Sequence, residues 1–498
     1  MQRIAGPSQE APAQELIDAG FAWEIADAPL LHHGLNVADL GHVLDLRARG
    51  LVPDDATRDL LTVLLDAYAT DPADFPYHAE YGEVYNSRER VFVDRIGRSA
   101  GWLHAGRPRR EAARVALRLL LRKQVAELIA SFARFAATTS AVASEHASTF
   151  MPDQTYLQQA QPSTFGHYLL GFVPPALRDS DRLLRALPEV NRSPGGAGCV
   201  NGSRLLDDRN RIADLLGFDD VIVHTRDAMW QTDTFIDVLA TCVSAVANQA
   251  KLSEDLEIWS SQEFNYVDLA GPYTRASVLM PQKRNPYSLS IIRGASGVMI
   301  GRLSGFLAVV KSPSARSDNL IFAYGEIPRA LDFARKISAL TAAVVETLTV
   351  NAERMSSELD RGFSQATDLA EYVMLSAGID YRTAYLIAGE AVRRASAAGL
   401  RGRDITSALL DEAAQEIAGH GLDLDDAELA TALDPRLIVA TRTAQGGAAP
   451  EEVEAMARDF IAEAECLERA ATDELERYRN QERKVVDQAK AVAAGDST

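Results

Sequence analysis

Cysteine is nearly absent from the chain, and so is any excess of positive charge. The three cysteines, Cys199, Cys242 and Cys466, lie far apart in sequence. No CxxC or mixed Cys/His spacing is present to hold a metal, so the metal assignment is none. Sparse cysteine fits a reducing compartment, and the expected location is cytoplasmic. Lys and Arg number 51 against 70 Asp and Glu, a formal net charge of −19. That balance argues against a nucleic-acid partner, because phosphate binding requires a basic face. Long apolar runs are missing too. The two most apolar stretches, 235–247 and 298–310, are short or interrupted by residues such as Thr241, Ser244 and Arg302. Neither spans a bilayer, and no membrane partner is expected. The N-terminus lacks a basic-then-apolar signal pattern. The period-2 alternation of β-branched residues that marks strands is scarce.

What remains is helical. With 47% apolar residues and 498 positions there is material for a large core. Over 111–148, Leu117, Leu120, Leu121, Val125, Leu128 and Ile129 recur at three and four, which predicts one face of a long helix. Further helical runs are predicted from after Pro162 to about Leu187, and over 232–260, 286–310 and 328–348. The Ser193-Pro194-Gly195-Gly196-Ala197-Gly198 and Gln445-Gly446-Gly447-Ala448-Ala449-Pro450 stretches read as loops. Past Gly362 the helices shorten, ending in a charged amphipathic segment over 451–490. No internal repeat stands out. The expected fold class is all-α, with an N-terminal helical domain at 1–105, a central long-helix bundle at 106–360 and a small helical domain at 361–498. The first fifteen residues read as a loose tail.

One non-helical segment between the long helices is dense in chemistry: Ser277-Val278-Leu279-Met280-Pro281-Gln282-Lys283-Arg284-Asn285-Pro286. Functional loops are commonly mounted on rigid frames of this kind. A serine hydroxyl acts as a base only when its alkoxide is stabilised, which an ammonium and backbone N–H groups can do. The Lys283 charge and the Asn285 amide suit a carboxylate whose charge grows in a transition state.

This segment resembles the signature of the fumarase/aspartase superfamily, Gly-Ser-Ser-x-Met-Pro-x-Lys-x-Asn. It departs at Ala276 and Val278 and matches at Ser277, Met280, Pro281, Lys283 and Asn285. Within the superfamily the resemblance is to argininosuccinate lyase. Thr155-Tyr156-Leu157-Gln158-Gln159-Ala160-Gln161-Pro162 is similar to Thr-His-Leu-Gln-x-Ala-Gln-Pro. His104-Ala105-Gly106-Arg107-Pro108-Arg109 resembles His-Thr-Gly-Arg-Ser-Arg. Ser261-Gln262-Glu263-Phe264, Ala366-Thr367-Asp368 and Gly446-Gly447-Ala448-Ala449-Pro450 extend it, in order, over about 26–464.

The resemblance implies a cofactor-free lyase and a homotetramer cored by long helices. Its active sites would be assembled from the segments around Arg109, Tyr156 and Ser277 of different subunits. The substrate would be a small anionic dicarboxylate, a substituted succinate that releases fumarate by β-elimination. By position Ser277 takes the role of catalytic base. Arg109, Thr155, Gln158, Lys283 and Asn285 take substrate-binding roles.

The departures imply altered chemistry. The family's His stands at Tyr156 and its Glu partner at Ser290, so both halves of a tuned proton-transfer pair are replaced. Arg110 stands for the family's Asn, and Arg316 for a substrate-binding Tyr in the stretch Arg316-Ser317-Asp318-Asn319-Leu320-Ile321. The two arginines suggest an anionic ligand, since guanidinium forks suit carboxylate, phosphate or nitro oxygens. They favour an electron-poor or anionic leaving group with Tyr156 as a hydrogen-bond donor; the amine class, with Tyr156 as the acid, is the alternative. Around Leu30-Leu31-His32-His33 the family's polar groups have no clear equivalent. Specialised metabolism is therefore the expectation, against arginine biosynthesis or a non-catalytic tetramer.

Overall fold

The computed structural model describes residues 11–312, 315, 316, 321 and 323–495. The N-terminal part is a helical segment, Gln14–Ala26 with a π-helical turn at Ile17–Phe21, followed by α1 (Ala28–Ala48), α2 (Asp54–Ala69) and α3 (Val84–Ile96). Then come α4 (Arg109–Glu145), the hairpin β1 (Phe150–Thr155) and β2 (Gln158–Thr164), α5 (Val173–Val190) and α6 (Asp233–Trp259). The strand pair β3 (Arg275–Ala276) and β4 (Arg284–Asn285) precedes α7 (Tyr287–Val310) and α8 (Ala323–Glu346). A compact unit contains α9 (Ala366–Ala377), α10 (Tyr381–Ala397) and α11 (Ser407–Ile417), and the chain closes on α12 (Pro450–Ala494).

The long helices fall within a few residues of the runs expected from periodicity. The run after Pro162 is corrected. Pro162 lies in β2 opposite Pro152, and helix starts only at Phe165, pauses at Gly171 and resumes as α5. The division of the chain also differs. Leu35 and Leu60 of the N-terminal part share one core with Val125 of α4, Ile292 of α7 and Val453, Ala464 and Val486 of α12. A second core, from Leu369 to Leu433, belongs to the small unit alone. The last helix therefore packs with the bundle along α4, through pairs such as Lys123–Glu482 at 2.6 Å. Its charged outer face suggests the surface, but Val453, Ala457, Ala464, Ala471, Val485 and Ala489 form a buried stripe.

The centre of the bundle is α4, the one described helix long and apolar enough by composition to cross a membrane. Three buried arginines one turn apart show why it sits in protein instead. Arg114 donates to the Ala228 carbonyl at 3.3 Å and to the Gln231 carbonyl at 2.6 Å. Arg118 donates to the Glu189 carbonyl at 2.7 Å, and Arg122 to those of Leu216 and Gly217 at 2.9 Å. Each guanidinium thus meets orphan carbonyls at the C-terminal end of a different helix, where the helix dipole favours a cation. Burial still disfavours the charge, holding Arg118 down at about 9 and Arg122 at about 10. Trp230 and Trp259 are buried in the same core, as expected of core aromatics.

Candidate active site

Arg107, Arg109 and Arg110 come from one short stretch but do different work. Arg107 is buried and anchors the stretch: its Nη2 donates to Asp39 Oδ1 at 2.5 Å and to the Tyr85 hydroxyl at 2.9 Å. On the other side Glu111 accepts the amides of Gly196 and Gly198, both at 2.7 Å, pinning the glycine-rich loop against α4. Gly198 has φ +63°, and a β-carbon there would meet the Gly202 carbonyl oxygen at 2.4 Å, so no other residue fits. Held this way, Arg109 and Arg110 open α4 and face a cavity of about 860 Å³.

The far walls of that cavity come from the N-terminal segment. Leu16, Phe21 and Trp23 give an apolar side, and Glu24, Glu83 and Tyr324 a polar one. Glu83 caps α3, accepting the Tyr85 amide at 2.7 Å, and also meets Arg109 at 3.4 Å. Arg109 donates to Asn86 as well. Glu24 makes no hydrogen bond or ion pair among the described residues. Burial first, then the neighbouring Glu83, pushes its carboxyl up to about 7, against the opposing pull of Arg110. The Tyr324 hydroxyl is buried and takes no hydrogen bond among the described residues. Burial pushes it up to about 12.

The Tyr156 segment is a hairpin tip. Thr155 pairs with Gln158, leaving Tyr156 and Leu157 as a two-residue turn with φ +54° and +59°. Such a turn ordinarily takes Asn-Gly, because both central residues must be left-handed. A tyrosine and a leucine there carry strain of order 1–3 kcal/mol each, a level typical of functional positions. Tyr156 is 98% exposed, and Thr155 and Gln158 are exposed beside it.

The signature forms a second exposed tip between β3 and β4. Ser277 Oγ accepts the backbone amides of Leu279 at 3.3 Å and Met280 at 3.0 Å. Asn285 donates to the Arg275 carbonyl at 2.9 Å, and Lys283 is exposed. Val278 and Leu279 project into solvent. From α7, Ser290 meets Glu257 at 3.3 Å, and Arg293 meets the same carboxylate at 2.5 Å.

Within one chain no hydrogen bond or ion pair joins the three segments among the described residues. Arg109 and Arg110 stand together at the cavity; Thr155, Tyr156 and Gln158 share one tip, and Ser277, Lys283 and Asn285 another. Arg316 is exposed and does not line the cavity, whereas Ile321 does. Residues 317–320 lie outside the described ones. Glu24, Glu83 and Tyr324 were not legible in the sequence: they sit in no motif and meet only through the fold. The polar groups missing around Leu30-Leu31-His32-His33 are found instead at Glu24, six residues before Leu30.

Residues 83–301 match the lyase family, and residues 363–440 the argininosuccinate lyase C-terminal family. The argininosuccinate lyase of Methanoculleus marisnigri is 33% identical over 424 residues, 84% of this chain and 85% of that protein. That of Geobacillus thermodenitrificans is 30% identical over 462 residues, 91% and 97% of the two chains. The structure of EDDS lyase in complex with formate is similar with a TM-score of 0.86 at 26% identity, over 99% of this chain and 98% of that one. The 3-carboxy-cis,cis-muconate lactonizing enzyme from Pseudomonas putida shares the fold, with a TM-score of 0.69 at 19% identity over 91% and 100%. The signature around Ser277, the all-α bundle and these likenesses agree: the chain is a lyase, and it belongs to the argininosuccinate lyase-like branch of the fumarase/aspartase superfamily.

Proposed function

We propose that the protein is a carbon–nitrogen lyase that cleaves an N-substituted aspartate into fumarate and an amine, outside arginine biosynthesis, as a homotetramer. The observation that carries this reading is the pair of backbone amides on Ser277 Oγ. N–H groups aimed at a hydroxyl oxygen favour its ionised form, which a serine needs in order to act as a base. The Ser277 alkoxide takes the proton from the carbon beside the distal carboxylate, and the electron pair is delocalised into that carboxylate, held by Lys283 and Asn285. The carbon–nitrogen bond then breaks, and the departing nitrogen takes a proton from Tyr156.

The choice of amine over anion follows from the charges around Arg110. An anionic leaving group needs arginines whose charge is unanswered. Arg110 shares its cavity with Glu24 and Glu83, and Arg316 is not among the cavity walls. A basic amine departs only with a proton, and Tyr156 is the donor in the segment that resembles the family's acid. That EDDS lyase and the argininosuccinate lyases are the similar proteins supports the same class.

Assembly from several subunits is supported by the exposure of both tips and by one face of α7. There Gly294, Gly297, Gly301 and Gly305 have nothing within 4 Å, beside exposed Ile291, Val298, Ile300 and Leu307. A smooth apolar helix face of this length is a surface for close helix packing. The test follows fumarate absorbance across a panel of N- and O-substituted succinates. Fumarate from the N-substituted members supports the reading. A folded tetramer that releases none from any member sinks it in favour of a non-catalytic role, and cleavage of argininosuccinate alone returns it to arginine biosynthesis.

A further inference from the structure

We infer that the cavity walled by Glu24, Tyr324 and Trp23 is the specificity site for the amine half of the substrate, and that it selects an amine with an apolar body and a second, cationic nitrogen. The inference rests on the carbon–nitrogen lyase reading and names the class of amine. Its first support is size. Ligand cavities of about 300–1,000 Å³ bury drug-sized molecules. At about 860 Å³ this one holds far more than a four-carbon diacid.

The second support is the division of its walls. Leu16 and Trp23 are about half exposed on the apolar side, from a helical segment that otherwise has little to pack against. Amphipathic aromatics such as Trp offer broad contact at low entropic cost. On the polar side the arginines are already answered: Arg109 is held by Glu83 and Asn86. Glu83 is in turn engaged by the Tyr85 and Asn86 amides. Glu24 is the carboxyl left without a partner among the described residues. The buried Tyr324 hydroxyl, also unpartnered there, lines the same cavity and a recess of about 30 Å³ below it, and Glu24 and Glu83 line both. A buried polar group is ordinarily hydrogen-bonded, so an orphan beside an unpaired carboxyl marks a place for a ligand's donor. An ammonium supplies up to three donors and a charge of the right sign.

The carboxyl state adds a signature. Glu24 faces Glu83, Arg110, Asp27 and Arg109, and burial with Glu83 holds it up at about 7. An incoming ammonium pairs with the ionised form only. Affinity for the cationic amine therefore rises as pH increases through about 7, while the amine itself stays protonated.

The experiment titrates the full-length protein calorimetrically with 4-(aminomethyl)benzylamine, benzylamine and methylamine, at pH 6 and pH 8. The expected result is roughly tenfold tighter binding of the diamine than of benzylamine, about what one partly buried charge pair contributes. Methylamine should be weaker still, and the diamine advantage should grow from pH 6 to pH 8. Glu24→Gln should remove that advantage and its pH dependence; Trp23→Ala should weaken both benzyl compounds alike. Circular dichroism confirms that each variant is folded, and Tyr324→Phe gives a second, fold-conserving probe that should weaken the diamine selectively. Equal binding of the diamine and benzylamine to the folded wild-type chain, or a Glu24→Gln variant that keeps the preference, overturns the inference. Release of fumarate from the corresponding N-substituted aspartates is scored separately, so binding without turnover counts against the lyase reading and not against the cavity.

Discussion

The Met280 amide donates to the Ser277 hydroxyl oxygen at 3.0 Å. The loop that presents the serine thus also polarises it, through a bond only three residues long. Because the donor is backbone, the arrangement survives any side-chain change at 280, and it depends on the turn geometry that Pro281 closes.

Ser277→Ala should lower turnover on the order of 10² to 10⁴, the usual effect of losing an essential proton-transfer group. Stability should change by less than about 1 kcal/mol, since the hydrogen bonds lost are exposed. Fumarate absorbance and a thermal melt measure the two. A variant that keeps near-wild-type turnover would falsify the role given to Ser277.

Tyr156→Phe leaves the strained turn as it is and removes only the hydroxyl. If Tyr156 protonates the departing amine, kcat should fall on the order of 10³, within the range for a lost general acid. A substrate with a much less basic nitrogen should recover most of that loss. A fall of a few-fold, unaffected by the leaving group, would reduce Tyr156 to a hydrogen-bond donor and reopen the anionic class.

Gly301→Leu tests assembly. Nothing lies within 4 Å of the β-carbon it would add, so the isolated chain has room for it. Leucine also raises helix propensity by somewhat under about 1 kcal/mol. The substitution should therefore leave the folded chain intact, or stabilise it, while breaking the tetramer and its activity together. Light scattering reads the outcome; an intact tetramer of Gly301→Leu chains would move the interface elsewhere.

Much of this was legible in the residues, for reasons that can be traced. The long helices are written in their three- and four-residue spacing, and the reactive loop in two prolines around Ser277 and Lys283. The hairpin was not, because Pro152 and Pro162 speak against strands and the turn has Tyr156-Leu157 where Asn-Gly would announce it. The seat of α12 was hidden by its many charges, since a stripe of alanines and valines is narrow against a long polar face. Glu24 was invisible for a different reason. A single carboxyl acquires meaning only from what the fold lays beside it, here Glu83 and Tyr324 from distant parts of the chain.

The pairing of α12 with α4 also sets an order of events during synthesis. Lys123 meets Glu482, 359 residues further on. A ribosome delivers every other helix of the bundle before the one that covers this side of α4. Contacts of such sequence separation form slowly, and apolar surface left waiting for them is prone to aggregate. The nascent chain therefore carries an open groove along its central helix until the final segment has emerged. Native structure is reached only after release, and a message truncated anywhere upstream of 450 yields a chain that has nearly all its parts and no way to close.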